Sequence, residues 1–248
     1  MRLKDKVVIV TGASRNLGRE YALGLAAQGA KVAAADILDA SDTVGEIEAG
    51  AGEALAVQVD VSQEAATQAM AAAVHRRFGR IDGLVNNAAL YLDLAMKPFW
   101  DIPVDEWDRV MAVNLRGSFL CCKAVFPYMK AQRYGRIVNI ASNTVFKGTP
   151  GLSHYASSKA GVLGLTRTLA RECGEFGVHV NCVAPDYIPH AKDDKERPER
   201  DAMIQATRAI RRREVPQDLV GTLVFLLSAD ADFITGQTIS VNGGSVMN

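Results

Sequence analysis

Val7-Val8-Ile9-Val10-Thr11-Gly12-Ala13-Ser14-Arg15-Asn16-Leu17-Gly18 decides how this chain folds. The first four residues are apolar without interruption, the pattern of a strand covered on both faces. A glycine-bearing turn follows, and residues 16–28 then place Leu17, Tyr21, Leu25 and Gln28 at helical spacing. Strand, turn and helix together open a βαβ unit. The start of the helix offers N–H groups and a positive dipole end, and the glycines let the backbone approach a pyrophosphate there. The general Gly-x-Gly-x-x-Gly fingerprint is absent, so an ordinary strand–helix turn is the plain alternative.

The same alternation continues outward from this stretch. Strands are expected over 31–35, 55–59, 84–86, 136–141, 178–182 and 238–241, and helices over 63–78, 104–130, 153–176 and 216–227. This rhythm predicts an α/β fold: one doubly wound Rossmann domain over 1–248, with a seven-stranded parallel sheet and helices on both faces. No linker or internal repeat divides the chain. Residues 186–214 break the rhythm. They hold Pro189, Pro198 and the charged run Lys192, Asp193, Asp194, Lys195, Glu196, Arg197. The segment is read as a mobile substrate lid, with a solvated surface loop as the alternative.

Composition narrows the functional classes. Hydrophobic residues make up 48%, and the 28 Lys and Arg balance the 28 Asp and Glu. That balance gives no sign of a nucleic-acid or anionic-membrane partner. The apolar run at 7–10 is too short for a signal segment, and no stretch reads as a membrane span, so a cytoplasmic protein is expected. Cys121, Cys122, Cys173 and Cys182 lack metal or redox spacing, so no metal site is expected and buried free thiols are.

In an open parallel sheet, ligands bind beyond the carboxyl ends of the strands. Gly12, Ser14, Arg15, Asn16, Leu17 and Gly18 therefore form one wall of a dinucleotide cleft. Asp36 closes the second strand, where a carboxylate accepts hydrogen bonds from the ribose hydroxyls of NAD(H) and repels the 2′-phosphate of NADP(H). Arg15 pulls the other way. Charge repulsion at a poorly solvated carboxylate costs several kcal/mol, whereas an exposed arginine contributes about 1 kcal/mol or less. NAD(H) is the expected cofactor. Asp60 and Val61 follow the third strand, and Asn86, Asn87 and Ala88 the fourth, so they reach the same edge. Plain turn roles are open to Asp36, Asp60 and the asparagines alike.

Tyr155 and Lys159 stand one helical turn apart on one face. A free tyrosine, with a pKa of about 10, is a poor base near neutrality, and a neighbouring ammonium is expected to lower it. The pair then exchanges a proton with an alcohol or ketone. Ser142, just past the fifth strand, is placed to hydrogen-bond the reacting oxygen. Asn114 sits inside a long helix, where a mediocre helix former needs a reason such as holding a water or a backbone carbonyl. His154 lies about 100° round the helix from Tyr155 and is read as structural.

These residues, with Ile234-Thr235-Gly236-Gln237 and Asn242-Gly243-Gly244 near the end, resemble the short-chain dehydrogenase/reductase (SDR) family over essentially the whole length. The resemblance implies a catalytic tetrad of Asn114, Ser142, Tyr155 and Lys159, with Asn114 anchoring a water in a proton relay. It has Tyr155 and Lys159 also hold the nicotinamide ribose, and places Pro185 and Ile188 by the cofactor. It implies a homo-oligomer, usually a tetramer, with the long helices and last strand at the interfaces. Three positions depart from the family pattern: Asn16 for the middle glycine, Ala89 for glycine after Asn-Asn-Ala, and Asp186 for glycine after Pro185.

By family position, the substrate pocket draws on residues 90–95, 143–152 and 186–190. Tyr91, Leu92, Ser142, Phe146, Leu152 and Tyr187 are the expected substrate contacts, with Val145 and Ile188 nearby. This apolar, partly aromatic set suits a cyclic or aromatic secondary alcohol or its ketone. Residues 141–150 also look like NAD-dependent aryl-alcohol and pyridoxal dehydrogenases of the family. The alternatives are an NADPH-dependent 3-oxoacyl-carrier-protein reductase, which Arg15 favours and Asp36 opposes, and a non-catalytic nucleotide-sensing module on the same fold.

Overall fold

A computed structural model describes residues 1–189 and 198–247, except for the side chains of Pro198 and Arg200. Seven parallel strands form one sheet: β1 Val7–Thr11, β2 Lys31–Asp36, β3 Ala54–Gln58, β4 Gly83–Asn86, β5 Gly135–Ile140, β6 Val178–Pro185 and β7 Thr238–Val241. Their spatial order is β3-β2-β1-β4-β5-β6-β7, so the order reverses between β1 and β4. The helices are α1 Asn16–Ala27, α2 Ser41–Ala49, α3 Glu64–Phe78, α4 Val104–Met111, α5 Gly117–Gln132, α6 Thr144–Lys147, α7 Ser153–Cys173, α8 Pro198–Thr207 and α9 Gln217–Leu227.

β1 shows why an unbroken apolar run belongs at the centre. Val8 and Val10 join one core cluster, with Tyr21 and Leu25 of α1 and Leu219 and Leu223 of α9. Val7 and Ile9 join the other, with Met70 and Val74 of α3 and Val125 and Met129 of α5. Successive side chains of a strand point to opposite faces, so both faces must be apolar where helices cover both. The four cysteines are free and buried.

The pattern reading cut one strand short and missed a helix. β6 runs on to Pro185, because Ala184 and Pro185 pair with Ser240 and Val241 of β7, a partner that periodicity does not reveal. α2 was hidden by its polar sequence. Asp39 Oδ1 accepts hydrogen bonds from the N–H and hydroxyl of Ser41 at its start, and buried Thr43 and Ile47 mark its inner face.

Residues 104–132 are helical throughout but open into a π-helical stretch, Ala112–Arg116, that carries Asn114. By length and composition alone this run, Val104–Gln132, is long and apolar enough to cross a membrane. Half of its most apolar window is buried within the protein. Of the proposed lid, residues 190–197 lie outside the described part. The remainder contains α8, and Asp201, Arg208 and Glu214 are buried, so it is not uniformly the solvated stretch its charge suggested.

Candidate active site

The carboxyl ends of the strands open into a cleft of about 530 Å³ that runs across the point where strand order reverses. One end is lined by Gly12, Arg15, Asn16, Leu17, Gly18, Asp36, Asp60, Val61, Asn87 and Ala88. The other is lined by Tyr91, Leu92, Ser142, Leu152, Tyr155, Lys159, Pro185, Tyr187 and Ile188. Nearly every residue singled out from sequence meets in this one space.

The glycine loop depends on close backbone contacts. Gly12 has φ +68°, and a Cβ on Gly18 would sit 1.9 Å from the Gly12 carbonyl oxygen. Gly18 therefore lets α1 pack directly beneath the loop. Asn16 takes the left-handed conformation that the family's glycine would supply, at φ 51°. Asn87 ties the β4 loop to this turn, its Nδ2 donating to the carbonyls of Thr11 (2.9 Å) and Gly12 (3.3 Å). Arg15 caps α1 without a side-chain hydrogen bond, so the N–H groups of the first turn are not taken up by that side chain.

Asp36 is nearly buried, 8% exposed. Its Oδ2 accepts from the Ser14 N–H (2.9 Å) and its Oδ1 from the Leu38 N–H (3.0 Å). Ser14 thus contributes through its backbone behind the wall, not as a lining residue. Its buried hydroxyl has no hydrogen-bond partner among the described residues. Asp60 holds a local turn by accepting from the Ser62 N–H (2.9 Å) and hydroxyl (2.7 Å), and also lines the cleft.

At the other end, Tyr155 is nearly buried and its ring lies 4.9 Å from the Tyr91 ring, centroid to centroid. The Ser142 hydroxyl hydrogen-bonds Tyr155, and Ser142 also accepts from the Thr144 N–H (3.2 Å). Lys159 is buried, and its Nζ donates to the Ile140 carbonyl at 2.7 Å, 5.8 Å from the Tyr155 ring centroid.

This corrects the expected electrostatics. Burial, and then Tyr91, push the Tyr155 phenol well above the ordinary tyrosine value, and the Ser142 hydrogen bond only partly offsets them. Burial also lowers Lys159 to about 8, slightly opposed by Cys182. The ammonium is turned to a carbonyl, and desolvation dominates both groups.

Asn114 holds a backbone carbonyl, one of the two roles its place inside a helix suggested, and it does so from outside the lining of the cleft. Its Oδ1 accepts from the Leu90 N–H (2.8 Å), and its Nδ2 donates to the Leu90 carbonyl (3.2 Å) and Ser158 Oγ (3.1 Å). It braces the loop after β4 from a π-bulge, an irregularity frequent at functional sites. Phe146 and Val145, expected at the substrate pocket, do not line the cleft either. Phe146 packs against a small core cluster of Ala141, Val162, Cys182 and Ala184, because the short α6 turns it inward.

The family profile described as "Enoyl-(Acyl carrier protein) reductase" matches residues 12–246. A 3-oxoacyl-[acyl-carrier-protein] reductase of Synechocystis sp. is 41% identical, covering 99% of this chain and 98% of that protein. The (2S)-[(R)-hydroxy(phenyl)methyl]succinyl-CoA dehydrogenase subunit BbsD of Thauera aromatica is 40% identical, covering 98% of each chain. The crystal structure of a levodione reductase superposes with a TM-score of 0.89 at 34% identity, covering 98% of both chains. The chain belongs to the short-chain dehydrogenase/reductase family. It is therefore an oxidoreductase of a family that uses nicotinamide cofactors, and the reading as a non-catalytic sensor is set aside.

Some lining residues of this SDR enzyme carried no sequence signal. Ile37 and Leu38 follow Asp36 as exposed apolar groups, and Met203 and Ile204 reach the cleft from α8. His154 is fully buried, with Nε2 3.2 Å from Glu106 Oε1, the structural role expected of it.

Proposed function

We propose that this chain is an NAD(H)-dependent oxidoreductase acting on a secondary alcohol or ketone, with Tyr155 as the acid–base group. The observation that carries the cofactor choice is Asp36. Two backbone N–H groups aim its carboxylate at the end of β2, in the cleft wall. There it accepts hydrogen bonds from ribose hydroxyls and repels an added 2′-phosphate. The site fits a dinucleotide: the loop packs too tightly for a Cβ at Gly18, and the buried Ser14 hydroxyl beside Asp36 has no partner among the described residues. When bound, the cofactor supplies the hydride donor or acceptor.

The protein's own groups do the rest. With its pKa raised, Tyr155 is protonated and has a proton to pass to a ketone oxygen, although the same rise makes it a weaker acid than an ordinary phenol. Ser142 offers a hydroxyl to that oxygen, and Tyr91, Leu152 and Ile188 exclude water from it. Lys159 stands in the same wall, where the family resemblance assigns it the nicotinamide ribose.

A second reading, 3-oxoacyl-carrier-protein reductase, is favoured for the substrate. The Synechocystis relative carries that name, and the Thauera relative is also named for a thioester. These names support a thioester more directly than the free cyclic or aromatic alcohol that the apolar lining suggested. Arg15, in the cleft wall, speaks for NADPH. The test compares kcat/KM for 1-phenylethanol with NAD or NADP and for an acetoacetyl N-acetylcysteamine thioester with NADH or NADPH. A preference for NADPH would promote Arg15 over Asp36 as the deciding residue.

A homo-oligomer belongs to the same proposal. Phe119 is 42% exposed and shares an apolar hollow with Met111, Leu115 and Leu165, which supports contact between copies there. A cytoplasmic, membrane-free location is also proposed, supported by the burial of half the apolar window in Val104–Gln132.

A further inference from the structure

Arg208, just after α8, is buried to 1% side-chain exposure, yet it does not line the cleft. Its guanidinium is used on three sides. Nε donates to Asp186 Oδ2 (3.2 Å), Nη2 to the Tyr187 carbonyl (2.7 Å) and Nη1 to the Arg212 carbonyl (3.0 Å). Glu214 Oε2 lies 3.5 Å from Nη2. Asp186 is gripped again from the other side, its two oxygens accepting from Lys147 Nζ at 2.7 and 2.9 Å. The Ser245 side chain also hydrogen-bonds Asp186, and Ser245 Oγ accepts from Asn143 Nδ2 (2.8 Å). The loops after β5, β6 and β7 and the chain after α8 therefore meet at one carboxylate.

Charge-assisted hydrogen bonds of this kind specify geometry strongly. They are also weak contributors to net stability, because burying the charges costs about as much as pairing them returns. Such a knot makes physical sense where position matters. Pro185, Asp186, Tyr187 and Ile188 share the cleft wall with Tyr155. Arg208 holds the second of these by its carboxylate and the third by its carbonyl.

We propose that Arg208 is a positioning residue: from behind the wall, through Asp186 and the Tyr187 carbonyl, it sets where residues 185–188 stand relative to the reacting centre. The proposal rests on the reading of this cleft as a Tyr155-dependent active site. It assigns a role to Asp186, the residue that replaces the family's glycine, and to an arginine that sequence reading passed over inside a charged segment.

The test uses the full-length protein with Arg208→Lys and the double variant Asp186→Gly/Arg208→Leu. The double variant removes both charges of the pair and so avoids stranding one of them. Lys147, with its side chain 25% exposed, can turn to solvent. The substrate probe is whichever of 1-phenylethanol or the acetoacetyl thioester the wild type turns over faster. For the double variant, NADH affinity by fluorescence titration should stay within about threefold, because the glycine loop and Asp36 are untouched. Its kcat should fall about tenfold or more, as a misplaced reacting pair requires. The primary isotope effect with deuterated cofactor should rise, and amide exchange at 186–188 should quicken. Arg208→Lys, which keeps the charge but loses the fork, should fall between.

Unchanged kcat, isotope effect and exchange would overturn the proposal. So would a fall in kcat with an unchanged isotope effect, which marks fewer folded molecules. Tyr155→Phe, assayed alongside, reports on the underlying reading. Exchange at 186–188 needs no turnover, so the two ideas fail separately.

Discussion

The two ends of the cleft are built by different means. The nucleotide end is closed by contacts in which backbone groups take part throughout: Gly18 under the Gly12 carbonyl, the Ser14 and Leu38 amides on Asp36, and Asn87 on the Thr11 carbonyl. The reacting end is held by pairs of charged side chains, such as Lys147 with Asp186 and Asp186 with Arg208. A loop closed by its own backbone tolerates almost no added atom, whereas a charge cluster shifts with its partners and with pH. Binding and chemistry should therefore be separable by mutation.

The sharpest separation is expected at Tyr155. Tyr155→Phe keeps the ring and loses the proton-bearing hydroxyl, so kcat should drop by about 10²–10⁴ with NADH affinity nearly unchanged. A variant retaining more than a tenth of wild-type turnover would remove Tyr155 from the acid–base role. Gly18→Ala should do the converse. Its Cβ would meet the Gly12 carbonyl at 1.9 Å, so NADH affinity should fall by more than about tenfold, through loop displacement or a destabilisation of roughly 1–3 kcal/mol. Titration of a folded Gly18→Ala protein checks this, and wild-type affinity would show that the loop is not the nucleotide end.

A smaller effect is expected at Asp36. Asp36→Ala should shrink the NADH-over-NADPH preference in kcat/KM by at least about tenfold, a floor set by the roughly 1–2 kcal/mol that remains of the repulsion once the 2′-phosphate is screened by solvent. A ratio that did not move would place the discrimination elsewhere.

The smallest effect concerns stability. Burial pushes Glu214 up to about 8 from 4.5, outweighing the pull of Arg208. Between those values the folded state holds a proton that the unfolded state has lost. Its contribution is complete below about 4.5 and disappears as pH rises through 8. Wild-type Tm should therefore fall from pH 5 to 8 by a few degrees more than that of Glu214→Gln. Parallel Tm curves for the two proteins would contradict the raised value.

Much of the fold was legible because periodicity records which faces of an element are covered. β1, α1 and the Tyr155–Lys159 spacing are of that kind, and the cleft gathers nearly all the residues they pointed to. Asn114 was noticed as an oddity inside a helix, but the π-bulge and the Leu90 brace that explain it are properties of packing. Phe146 misled because a pocket was drawn from loop position, while α6 turned the ring into a small core cluster.

By itself, then, the amino-acid order determined the alternating architecture, the glycine loop and the candidate catalytic groups, since each follows from a local pattern of a few residues. Tertiary structure alone decided which way Tyr155 and Lys159 shift, and that Arg208, Asp186 and Lys147 meet. The reason is physical. Desolvation and the pairing of distant charges depend on how much protein surrounds a group and which segments are brought beside it, and neither quantity is written in the residues next to it along the chain.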